Sequence, residues 1–243
     1  MPAVPSHYDS FAWIYNQNWG YFADQVIPLV DALALKHLRP GARILDVCCG
    51  AGHLAAALTK RGYRVTGIDS SEELIKFARE NAPEGQFAVE DARAFQLSPE
   101  FDMALSTFDS LNHLMSQDDL GSAFRNVFAA LRDGGRFLFD LNMEEGFQAR
   151  WRGSFGISQD EYACIIRSSY RPEERLGRYD ITTFRLIRGR WERSDFVITE
   201  RCYSDGEVRS LLKEAGFSDI EVHDSQTLGL REVGRSFFVC RRM

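Results

Sequence analysis

Short apolar runs alternate with amphipathic stretches along the first 142 residues. Residues 6–38 carry Phe22, Val26, Leu29, Val30, Leu33 and Leu35 close to helical spacing, and Pro40-Gly41 ends that stretch, so one helical segment is expected there. Residues 43–48 read as a short buried strand, 54–61 as a helix closed by Gly62, and 64–68 as a second strand. The next helix covers 71–81, with Glu72 and Glu73 in its first turn, where the helix dipole favours acids. Residues 87–89 and 101–106 supply a third and a fourth strand. A helix over 118–131 is stopped by Asp133-Gly134-Gly135, and 136–142 makes a fifth strand. Strand and helix alternating at this interval imply right-handed crossovers and a parallel sheet covered on both faces.

The pattern then changes. Stretches 161–170, 177–187 and 191–200 are rich in Tyr, Ile, Phe and Thr and are separated by short turns, which predicts an antiparallel meander. Helical character returns over 204–215, with Ser204 as N-cap, Glu207 three residues on and Gly216 beyond the end. Residues 220–222 and 236–240 form a closing antiparallel pair. The expected fold is α/β: a Rossmann-like, mainly parallel seven-stranded sheet with helices on both faces and an antiparallel β-rich insertion after the fifth strand. Residues 1–142 and 200–243 would make the main domain with an N-terminal helical cover, and 143–199 the insertion over the site. A chain of 243 residues, 44% hydrophobic, is large enough to bury such a core.

Candidate chemistry concentrates beyond the carboxyl ends of the strands, where open parallel sheets bind ligands. The first strand runs through Asp46 into Gly50-Ala51-Gly52, a loop whose glycines accept φ > 0 and let a ligand approach the backbone. A carboxylate at Asp46 would repel a phosphate but suits an ammonium or sulfonium group, which points to S-adenosylmethionine as cofactor. The second strand ends in Asp69-Ser70, where an acid can accept both ribose hydroxyls. The third ends in Asp91-Ala92, where an acid can accept from an adenine amino group, and the fourth in Thr107-Phe108, leading to His113. Each acid has a plainer reading, as a turn former or a helix cap, and a lone GxGxxA (Gly50, Gly52, Ala55) is shared with nicotinamide and flavin folds.

The stretches ILDVCCGAG, VTGIDSS, AVEDAR and FDMALSTFDSLNHL, in that order and spacing, make residues 41–142 resemble a class I S-adenosylmethionine-dependent methyltransferase. The opening segment around Tyr8 and Tyr15 is similar to the start of amino-sugar and glycine-type N-methyltransferases, where it closes over the cofactor. Asn16 stands where those proteins carry a second acid. The β-rich insertion and the segment from Thr199 to Ser204 also look like that group, in which the insertion builds part of the acceptor pocket.

The resemblance implies methyl transfer to N or O of a soluble small molecule, with His113 as the base, because an imidazole titrates near neutrality. The other reading of His113 is a hydrogen-bonded residue starting a helix. His53 belongs to the cofactor surroundings or the surface rather than to catalysis, and His7, His37 and His223 look superficial. A nicotinamide-dependent oxidoreductase and a non-catalytic cofactor-binding protein are the alternatives.

Net charge is −6 with no long Lys or Arg run, which argues against a nucleic-acid partner. No apolar stretch approaches the roughly 20 residues of a membrane span, and no signal peptide is visible. The five cysteines are odd in number and scattered, with Cys48 and Cys49 expected on opposite sides of a strand, so no metal site and a reduced, cytoplasmic setting are expected. The oligomeric state is left open between monomer and homodimer.

Overall fold

The computed structural model describes residues 8–243. The apolar run after Ala42 forms β1 (Arg43–Val47), followed by α3 (His53–Thr59), β2 (Arg64–Asp69), α4 (Glu72–Asn81) and β3 (Gln86–Val89). Then come β4 (Phe101–Ser106), α5 (Gln117–Ala130), β5 (Leu131–Asn142) and α6 (Glu144–Arg150). After the insertion, α7 (Asp205–Glu214), β10 (Phe217–Asp224) and β11 (Arg235–Arg242) complete the main sheet, whose order is β10-β11-β5-β4-β1-β2-β3. β1 to β5 are parallel, and β11 runs antiparallel to both β5 and β10.

Burial explains why the central strands are mostly apolar rather than alternating. All six positions of β4 are buried, as are four of the five in β1, because helices cover both faces. Along β5 the side chains alternate: Phe137 and Phe139 pack with Phe124, Val127 and Leu212 of α5 and α7, whereas Leu138 joins the opposite layer. That second layer contains Leu54 and Leu58 of α3 and Val26, Leu29 and Val30 of α2 (Tyr21–Leu33). Helix α7 begins with a full capping box between Ser204 and Glu207, as its sequence requires.

The insertion is a separate sheet of β6 (Gly153–Ser158), β7 (Tyr162–Arg171), β8 (Leu176–Ile187) and β9 (Arg190–Arg201), all antiparallel. Arg188 (φ 51°) and Gly189 (φ 77°) form the two-residue turn between β8 and β9; both central residues are left-handed, the twist that suits a tight hairpin. Its inner face, through Cys164, Ile166, Ile181 and Ile198, packs on Phe11 and Ile14 at the start of the chain. The N-terminal cover is therefore enclosed between this sheet and the carboxyl ends of β1 and β2.

Four sequence expectations need correction. The single helical segment over 6–38 is divided into α1 (Ala12–Asn18), α2 and a 3-10 turn at Leu35–His37, with residues 6 and 7 outside the described part. The break falls at Gly20, where an added Cβ would come within 2.9 Å of the His53 ring. Cys48 and Cys49 do not share a strand: β1 ends at Val47, and Cys48 already turns with φ 59°. The fifth strand starts at Leu131 rather than at 136, beside Phe101. Finally, α6 and β6 arise where no element was expected; β6 is an edge strand with five of six positions exposed.

Candidate active site

The loop after β1 is built for close approach. Gly50 and Gly52 have φ of 54° and 75°, and a Cβ on Gly52 would sit 2.8 Å from the Ala78 Cα of α4. Asp69, at the end of β2, accepts hydrogen bonds from Gly50 N (3.0 Å) and Ser71 N (2.9 Å), so one carboxylate fastens the glycine loop to the neighbouring strand. Asn81 Nδ2 donates to the Ala51 carbonyl (2.8 Å) and to Asn16 Oδ1 (2.7 Å), tying the same loop to α1.

Beside that loop lies a cleft, open to solvent, lined by Tyr15, Asp46, Ala51, His53, Thr107 and Phe108 among others. Asp46 is only 2% exposed, and its Oδ2 has no hydrogen-bond partner. Burial, and after it the charge of Asp69, pushes its carboxyl up to about 7. His53 hydrogen-bonds the backbone of Asn16, and burial holds its proton affinity below the usual value. Its Nε2 is buried and unpartnered as well. Two orphaned acceptors therefore line one cleft, and a ligand bringing N–H donors with positive charge would satisfy both. The ammonium of S-adenosylmethionine has those properties, so the residues present fit this cofactor.

The loop after β4 is held in an unusual shape. Phe108 (φ 67°) and Asp109 (φ 50°) are consecutive non-glycine residues in the left-handed region. Asp140 of β5 accepts from both of their backbone N–H groups, at 2.7 and 3.0 Å. Arg235, 1% exposed, pairs with Asp140 and Glu232 and reaches Asp109 Oδ2 at 3.3 Å. Burial pushes the Asp140 carboxyl up to about 6, with Arg235 pulling it back, so the pair remains ionised at neutral pH.

That clamp leads into the 3-10 turn Ser110–His113 and positions His113. The Thr199 carbonyl lies 3.0 Å from Nδ1 and the Tyr8 hydroxyl 3.1 Å from Nε2. A carbonyl only accepts, so Nδ1 carries the ring hydrogen and Nε2 receives the Tyr8 O–H. Burial lowers the proton affinity of the ring, which is therefore neutral at pH 7. Tyr8 packs edge-on against both His113 and Tyr15, and the Tyr15 ring lies against Gly50, so a row of rings joins His113 to the cofactor loop.

The expected site residues separate into groups. Tyr15, Asp46, Ala51, Thr107 and Phe108 meet around the cleft; Gly50, Gly52 and Asp69 shape and brace its loop; Tyr8 and His113 pair with each other. Ser70 is exposed, Ala92 is buried in the core beside α5, and Asp91 forms a bidentate pair with Arg93. Of the plainer readings, the one for Asp91 holds, since it accepts from Arg93 N at 2.8 Å; the others do not, because Asp46 lies within β1 and Ser71 rather than Asp69 is the N-cap of α4. Sequence reasoning assigned no role to Glu200, Asp140 or Arg235, whose partners are distant in the chain; charged residues inside apolar strands were the available signal. Among the described residues no group of His, Cys, Asp and Glu could hold a metal ion, and no helix is long and apolar enough to cross a membrane.

Comparison with known proteins agrees with this architecture. Residues 44–135 match the family model described as a methyltransferase domain. "Putative methyltransferase YqeM" of Bacillus subtilis (strain 168) is 30% identical over 216 residues, covering 86% of each chain. DesVI of Streptomyces venezuelae superposes with a TM-score of 0.78 at 21% identity, covering 99% of this chain and 100% of its own. The sugar N-methyltransferase KedS8 from Streptoalloteichus sp ATCC 53650 superposes with 0.76 at 20% identity, covering 100% and 95%. The two structural likenesses establish the fold, and the sequence relationship establishes the family: the chain belongs to the class I S-adenosylmethionine-dependent methyltransferases.

Proposed function

We propose that this enzyme methylates a nitrogen or oxygen of a small molecule in the cytoplasm, with His113 as the base. The observation that carries this reading is the tautomer of His113: Nδ1 is committed to Thr199, and the basic Nε2 is directed to Tyr8, whose ring packs on Tyr15 of the cleft wall. Bound S-adenosylmethionine supplies an electrophilic methyl group on a sulfonium. The chain's own tasks are then to align the acceptor, exclude water and receive a proton. Asp46 and His53 would hold the ammonium end, Asp69 the ribose and Asp91 the adenine.

Residues 143–199 would roof the acceptor pocket, with Tyr8, Tyr15, Trp19 and Trp151 as aromatic walls, and the acceptor is a metabolite rather than a nucleic acid. Likeness to a sugar N-methyltransferase favours nitrogen. Membership of the methyltransferases displaces the nicotinamide oxidoreductase alternative.

Transfer of labelled methyl from S-adenosylmethionine into a panel of amino sugars, amines and phenols tests the reading, with incorporation into at least one of them expected. Tight cofactor binding without any incorporation would instead support a non-catalytic role. His113→Ala is expected to slow the active reaction about 10²–10⁴-fold while leaving cofactor affinity unchanged; equal loss of both rejects the base assignment. Asp69→Ala is expected to weaken S-adenosylhomocysteine binding by about 1.5–3 kcal/mol, the scale of a charged hydrogen bond. Calorimetry showing wild-type affinity would remove Asp69 from the ribose site.

A further inference from the structure

We propose that Glu200 is the charge partner of His113, the carboxylate that allows a proton to reside on Nε2 inside this site. The inference rests on the reading of His113 as base. Glu200 lies on β9 directly after Thr199, the residue that holds Nδ1, so one strand segment contacts the imidazole twice. It is 3% exposed, and its Oε1 is 4.0 Å from His113 Nε2. Among the described residues His113 is the sole ion-pair partner within that distance. The other oxygen, Oε2, accepts from Asn142 Nδ2 at 3.2 Å.

An acid at this position needs a reason, because the hydrogen bond does not supply one. A glutamine carbonyl would accept from Asn142 equally well, and Asn142 Nδ2 already donates to Asp109. A buried carboxylate without a cation costs several kcal/mol. The nearby guanidinium of Arg235 is shared among Asp140, Glu232 and Asp109, and that of Arg150 lies against Glu232 and Asn142. Burial and the neighbouring charge of Asp109 raise the Glu200 carboxyl well above its ordinary range. The groups facing His113 are Tyr8 from the N-terminal cover, the Thr199 carbonyl and Glu200 from β9, and Asp109 from the loop after β4. Of these, Asp109 raises the proton affinity of the ring through its charge, and Glu200 is the acid whose oxygen comes within 4.0 Å of it.

During turnover the acceptor atom bonds to the methyl carbon and sheds a proton, and the electron pair of the broken carbon–sulfur bond stays on sulfur. Tyr8 takes that proton on Oη as it passes its own to Nε2. The resulting imidazolium is positive in a buried place, and the Glu200 carboxylate offsets it. Glu200 touches neither acceptor nor cofactor in this account; it acts through His113 as a positioning residue.

The test follows the ring itself and needs no acceptor. The imidazole Cε1–H signals of the five histidines are followed by NMR against pH in the full chain with S-adenosylhomocysteine, the His113 signal being the one lost in His113→Ala. Coupling to Glu200 predicts a two-step curve for His113 in the wild type. In Glu200→Gln the curve becomes single-step and its midpoint falls by about one pH unit, a tenfold loss of proton affinity. A Gln variant with a wild-type midpoint overturns the proposal. So does a single-step curve in the wild type, which is informative even if the Gln variant does not fold. Labelled-methyl transfer reports on the reaction and this titration on the pair, so either can fail alone.

Discussion

Arg235→Met is expected to lower folding stability by about 3–5 kcal/mol, the usual cost of stripping one partner from a buried ion pair. Asp140 is fully buried and would keep its two backbone donors but lose its cation. The sign with pH follows from the same group. Its folded-state carboxyl already lies above the unfolded value, at about 6, and without Arg235 it rises further, so the folded variant binds a proton that the unfolded chain releases. Stability contributed by that proton is present at low pH and is lost as pH rises, so the deficit grows with pH. Denaturant unfolding at pH 5.5 and 8 measures it, and a loss under about 1 kcal/mol at both would show that the clamp is not needed. Cofactor affinity and activity should fall as well, because the left-handed turn at Phe108 and Asp109 depends on Asp140.

Gly52→Ala is the second large effect. An alanine at φ 75° costs about 1–2 kcal/mol in backbone strain, and its Cβ would also meet Ala78 Cα at 2.8 Å, which adds about 1–3 kcal/mol of overpacking. Backbone cannot step aside as a flexible side chain does, so the glycine loop or α4 must move and the cofactor site opens. Gly41→Ala is the control: φ is 74° there, but nothing lies within 4 Å of the new Cβ. Gly41→Ala should lose only the strain term, whereas Gly52→Ala should lose that plus most of its affinity for S-adenosylhomocysteine. Equal unfolding midpoints for the two would mean that the contact with Ala78 is unimportant.

The order of elements was readable where one local signal decided it. Strands β1 and β4 are mostly apolar and almost wholly buried because both faces are covered, and α7 begins at a capping box. Reading failed where the deciding partner is remote. A glycine stands at the junction of α1 and α2 because the His53 ring occupies the space that a side chain on Gly20 would take. Strand β6, through Gly153, Ser154 and Gly156, shows no alternation because its positions are nearly all exposed. At the site, Asp46 and His113 could be singled out by type and position after a strand. Arg235 offered only a charge at the head of an apolar strand, since its meaning comes from Asp140, 95 positions earlier in the chain. Glu200 was hidden in the same way: only folding brings β9 beside the turn that carries His113.

The N-terminal cover is fastened at two separated strand ends, by Asp9 to Ser71 Oγ at 2.6 Å after β2 and by Tyr8 to His113 after β4. A swing of residues 8–18 wide enough to exchange the cofactor would have to release both attachments, and with them the bond from Asn81 to Asn16. Under the proposed mechanism His113 would then lose its hydroxyl neighbour while the cleft stood open to water, so admission and reaction would alternate.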